Sequence, residues 1–108
     1  MEELIRRLID LTNSFDVEAA LALFAPDAVI DDVSVGEKFA KTAGVRTYLE
    51  KFFVGYHTVT KLESVDVLHK RRGKAQVDFT GDFGHETGSL DVTVNADGLI
   101  VTVDASLD

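Results

Sequence analysis

Apolar side chains recur at helical spacing through the amino-terminal half of the chain. Leu4, Ile5, Leu8, Ile9 and Leu11, with Thr12, form one stripe while Glu2, Glu3, Arg6, Arg7 and Asp10 fall outside it, which predicts a surface helix over residues 2 to 13. A second helix is expected from Val17, Ala20, Leu21 and Phe24 at i, i+3, i+4 and i+7. Asp16 stands where it can cap the first turn, and Pro26 is expected to stop the helix. Ala28, Val29 and Ile30 then read as a short strand ending on Asp31 and Asp32. Successive strand residues face opposite ways, so only one of these carboxylates points inward; if Ala28 and Ile30 face the core, it is Asp32. Val33 to Lys41 has no sustained period and reads as a loop. A third helix is predicted over roughly residues 43 to 54, with Val45, Tyr48, Leu49, Phe52 and Phe53 on one side and Arg46, Glu50 and Lys51 on the other.

From His57 onward the period changes to two. The run Lys70 to Lys74 marks a hairpin turn, after which Ala75, Val77 and Phe79 alternate with Gln76, Asp78 and Thr80. Leu90, Val92 and Val94 alternate with Asp91 and Thr93, and Asn95 to Gly98 supply turn chemistry before a last strand from Leu99 to about Ser106. Three helices and one short strand followed by four antiparallel strands predict an α+β domain, its helices packed on one face of a curved antiparallel sheet. At 108 residues the chain is expected to be one domain, residues 1–108, large enough to bury a core without disulfides.

Charge and composition narrow the partners. With 19 acidic and 11 basic residues the net charge is −8, which repels phosphate backbones and anionic membranes, so nucleic acid and membrane surfaces are not expected partners. No apolar run reaches the ~20 residues of a membrane span, and the first residues, MEELIRRLIDL, are charged where a signal peptide is apolar; a cytoplasmic protein is expected. The chain has no cysteine, which removes thiolate nucleophiles and Cys-based zinc sites. Its three histidines, His57, His69 and His85, stand at no ligand spacing, so neither metal nor other cofactor is expected. Nucleophile-elbow and phosphate-loop motifs are absent too. If the strand from Ala75 runs on unbroken, residues 77, 79, 83 and 85 share its inward face, which places His85 near the mouth of any pocket. For Asp104 parity leaves both faces open.

The segments LFAPDAVIDD and, about a dozen residues later, GVRTYLEKFF, set between the first helix and the β-meander, resemble the NTF2-like superfamily: nuclear transport factor 2, ketosteroid isomerase and the SnoaL-like polyketide cyclases. The resemblance covers nearly the whole chain and implies their cone-shaped fold, a cystatin-like α+β roll. It places Asp32 on the isomerases' catalytic base and Asp31 on their neighbouring acid. Leu8 falls where those isomerases carry a tyrosine donor and Leu90 where they carry a protonated acid, which disfavours a steroid isomerase. The resemblance therefore implies acid-base chemistry of isomerase, cyclase or dehydratase (lyase) type on a small apolar molecule, with Asp32 as base; strand parity adds His85 as its expected catalytic partner, with Tyr56 as the alternative hydrogen-bond partner. Phe24, Ile30, Tyr48, Phe52, Tyr56, Phe79 and Val92 are the expected substrate-lining residues. The alternative is a non-catalytic ligand-binding or dimerisation module built on the same cone. A homodimer is expected, because Leu99 to Val103 carries apolar residues on both parities.

Overall fold

A computed structural model describes all residues from Met1 to Asp108. Helix α1 spans Glu2–Asn13 and buries the predicted stripe, with Ile5, Leu8, Ile9 and Thr12 inward. It lies across β3 (Val59–His69) and β4 (Arg72–Gly81). The Asn13 side chain fastens its end to β3, donating to the Thr60 carbonyl at 2.9 Å and accepting from the Thr60 amide at 2.7 Å. Helix α2 is a short Val17–Leu21, capped by Asp16, whose carboxylate accepts from the Ala19 amide at 3.1 Å.

Pro26 does not end this helix. Strand β1 begins at Phe24 and runs through the proline to Asp32, and its pairing shifts register between Phe24 and Val29. Proline has no amide hydrogen to give, and such an irregularity is where a strand tolerates it. The expected loop holds a further strand, β2 (Glu37–Ala40), paired with β1. Helix α3 covers Lys41–Tyr48 and continues as a wider π-helical segment, Leu49–Val54. Strands β3, β4, β5 (Gly84–Val94) and β6 (Ile100–Leu107) form the predicted meander.

The sheet has six strands in the order β2-β1-β6-β5-β4-β3, antiparallel throughout except that β1 and β6 run parallel. Pairs in register give each face its residues. Ile30, Val103, Val92 and Leu90 point toward the helices with Ala75, Val77 and Phe79, and all but the last are buried. On the outer face Asp31 pairs with Asp104 and Asp104 with Asp91, so three carboxylates lie in one row. Asp104 thus faces outward. No helix is long and apolar enough to cross a membrane.

Candidate functional site

Asp32 ends β1 on the inward face at 6% exposure, while Asp31 is half-buried on the other side. The burial of Ala28 and Ile30 fixes that parity. Immediately after the strand the backbone turns back on the carboxylate. Asp32 Oδ1 accepts from the Ser34 amide at 3.0 Å and from the Ser34 hydroxyl at 2.5 Å, a turn in which an Asp side chain binds the backbone two residues on. Its other oxygen, Oδ2, accepts from the Tyr48 hydroxyl at 2.5 Å. Burial, followed by this hydrogen bond and the Asp32 charge, pushes the Tyr48 phenol far above its ordinary value, so it remains a proton donor to Asp32. A carboxylate has about four acceptor positions. Ser34 and Tyr48 use three, and the position left open is on Oδ2, beside the tyrosine.

The π-helical segment supplies the wall. In a regular helix Phe52 and Phe53 would diverge by about 100°. Here the wider turn lets both reach the same space, together with Tyr48 before them and Tyr56 after them. Thr58 closes the segment, its hydroxyl donating to the Phe52 carbonyl at 2.6 Å and its amide to that of Phe53 at 2.9 Å. The rings meet edge-on or tilted: Tyr48 and Phe52 at 4.9 Å between centroids, Phe52 and Tyr56 at 5.9 Å, Tyr56 and Phe83 at 6.1 Å, Phe53 and Phe79 at 6.4 Å. These residues enclose an open cavity of about 280 Å³ with Asp32 in its lining.

Of the residues expected at the site, Asp32, Tyr48, Phe52, Tyr56 and Phe79 line this cavity. Phe24 and Ile30 instead line a smaller space of about 30 Å³ that shares Tyr48 and Phe53 with this cavity, and Val92 is fully buried core. His85 is placed differently from expectation. The strand from Ala75 stops at Gly81, a two-residue turn intervenes, and β5 starts afresh at Gly84. That restart puts Glu86, paired with Phe79, on the cavity side and His85 on the outer face, where Asp78 lies 2.7 Å away and raises the imidazole's pKa.

Phe53 and Phe83, expected on inward faces, line the cavity as well, and Ser34, Val35, Thr58, Glu86 and Leu107 do so without having been singled out. The Asp-Val-Ser spacing at 32 to 34 was the available signal for Ser34. No three or more of His, Asp or Glu converge in a metal-holding group.

A SnoaL-like domain model matches residues 5–103. The chain belongs to the SnoaL-like domain family. No curated protein matches it. Among solved structures, this SnoaL-like domain superposes on a proposed polyketide cyclase of Sinorhizobium meliloti with TM-score 0.87 at 19% identity, over 97% of this chain and 94% of that one. SalBIII, an epoxide hydrolase/cyclase-like enzyme of pyran ring formation in the polyether salinomycin, gives TM-score 0.87 at 15% identity, over 99% and 89%. A Mycobacterium tuberculosis protein solved with estradiol-17beta-hemisuccinate gives 0.84 at 19%, over 94% and 88%. At such identities the likeness establishes the NTF2-like cone that the SnoaL-like domain shares with them.

Proposed function

We propose that this SnoaL-like domain is an acid-base enzyme, of isomerase, cyclase or dehydratase type, acting on a small apolar molecule bound in the aromatic cavity. One observation carries the reading: a buried carboxylate, Asp32, is held by neutral donors and retains an open acceptor position on Oδ2, within the lining of an apolar cavity. Asp32 is the proposed base, taking a proton from substrate carbon or water. Ser34 and Tyr48 fix its orientation, so proton transfer needs little rearrangement of the site. A base alone supplies part of an enzyme's acceleration, and the charge that develops on substrate oxygen needs a donor. Tyr56, a lining residue that carries a hydroxyl, is proposed for that role in place of His85.

The decisive substitution is Asp32→Asn. An amide of the same size still accepts from Ser34 but takes no proton, so turnover should fall ~10²–10⁴-fold. Asp31→Asn, on the opposite face, should change it little. Equal activity of wild type and Asp32→Asn on a substrate of this domain would exclude the base assignment and favour a binding module.

We also propose that two copies associate through the outer face of the sheet. Val29, Thr93, Thr102, Ser89 and Ser106 give that face small, uncharged side chains on either side of the carboxylate row.

A further inference from the structure

The cavity has a distinctive charge. Six aromatic side chains, Tyr48, Phe52, Phe53, Tyr56, Phe79 and Phe83, line it together with two carboxylates, Asp32 and Glu86, and no basic residue. Neither acid is paired with a cation: Asp32 is held by the neutral groups of Ser34 and Tyr48, and Glu86 takes part in no ion pair. The basic groups nearby lie outside the lining. His57 is paired with Asp82 at 2.9 Å, His85 with Asp78 at 2.7 Å on the outer face, and Lys51 sits outside the lining with its ammonium 5.3 Å from the Phe52 ring centre.

Such a lining discriminates by charge. An anionic ligand would meet two carboxylates that no cation compensates, Glu86 at the mouth and the buried Asp32 deeper among the rings, where repulsion is poorly screened. An ammonium group would meet a carboxylate and the negative faces of aromatic rings at once, and both attractions strengthen as water is displaced. A net charge of −8 draws cations toward the mouth as well. The volume sets the size: about 280 Å³ is at the lower end of ligand cavities, which run from about 300 to 1,000 Å³.

We propose that the ligand of this cavity is a small apolar amine, bound as its protonated form, with the ammonium against Glu86 and the rim rings Tyr56 and Phe83 and the apolar body among Phe52, Phe53 and Phe79. This rests on the aromatic cavity being the ligand site, as the acid-base reading also holds. Glu86 and the rim rings are exposed by about two fifths or more, so the charged end stays near the mouth while the apolar end goes deeper. Asp32 is thereby left free to act on the buried part of the molecule.

Three soluble probes of one shape test it: 4-phenylbutylamine, 4-phenylbutanol and 4-phenylbutyrate, titrated calorimetrically into the intact protein at neutral pH and moderate salt. The amine should bind at least tenfold more tightly than the alcohol, a difference of about 1.4 kcal/mol, and the carboxylate weakest of the three. Glu86→Gln should narrow the gap between amine and alcohol severalfold without weakening the alcohol, and Phe83→Leu should weaken the amine more than the alcohol. Equal binding of amine and alcohol, preference for the carboxylate, no binding of any probe, or a gap unchanged in Glu86→Gln would each overturn the proposal. Circular dichroism of each variant confirms that the exposed substitutions leave the fold in place. No turnover enters the measurement, so its failure is distinct from failure of Asp32 as base, which is read from activity alone.

Discussion

Asp32 and Tyr48 form a close buried pair, and their chemistry has a measurable signature. Tyr48 is one of only two tyrosines in the chain. Its phenol is pushed far up, chiefly by burial and then by Asp32, so in a spectrophotometric titration one tyrosine should remain un-ionised until the fold is lost. The sign follows from linkage. The folded state holds this proton above the ordinary tyrosine pKa of about 10, where the unfolded chain releases it, so stability is retained below that pH and declines as pH rises beyond it. Tyr48→Phe should remove that alkaline decline. It should also cost about 1–3 kcal/mol at neutral pH, because a buried carboxylate loses a donor. A variant with an unchanged thermal midpoint and unchanged alkaline behaviour would refute the pairing. Asp32 itself was legible from parity, since the small and apolar run before it leaves little choice of inward face. His85 was not: its placement depended on a two-residue turn at Asp82 and Phe83, and a strand restarted there need not keep the earlier alternation.

Among the elements, β5 and β6 meet most tightly beside the cavity mouth. A Cβ on Gly88 would lie 2.2 Å from the Ser106 carbonyl oxygen and 3.2 Å from the Leu107 Cα, so any side chain there displaces β6 backbone. Gly88→Ala should therefore destabilise by about 1–3 kcal/mol. For a domain of this size each kcal/mol lowers the thermal midpoint by about 4–8 °C, and differential scanning calorimetry reads it. A midpoint within one degree of wild type would show that β6 yields freely. The long elements were visible in the pattern because α1 and the meander strands bury one face each. Strand β2 was hidden, as four residues with one buried side chain, Phe39, carry too little alternation to register. The π-helical segment was hidden as well: Tyr48, Leu49, Phe52 and Phe53 in sequence fit one side of a regular helix, and nothing in that spacing marks the wider turn.

For the whole molecule, the family segments and the switch of period were enough to predict the cone. The parallel pairing of first and last strands was beyond reach, because periodicity reports which face a residue takes and not which strand lies beside it. Charge sets how copies of the molecule meet. In the row of Asp31, Asp104 and Asp91, Arg72 already pairs with Asp91, at 2.7 Å, while Asp31 and Asp104 have no such partner and would approach their own copies across the proposed interface, a repulsion that salt screens. Sedimentation should therefore show association that strengthens with ionic strength at high micromolar concentration. A single 11.8 kDa species at both low and high salt would rule the dimer out.

Asp32 is flanked in the sheet by Glu37 of the adjoining β2 on one side and, on the other, by Ala105 of the distant β6. During synthesis β1 must wait for β2, α3, β3, β4 and β5 to leave the ribosome before that second neighbour exists. Until then the strand that bears the carboxylate has an unpaired edge, open to other nascent chains. The floor of the cavity beside Asp32 would be among the last parts of the molecule to assemble, and a chain truncated before β6 should be rescued poorly by chaperones and lost chiefly to aggregation.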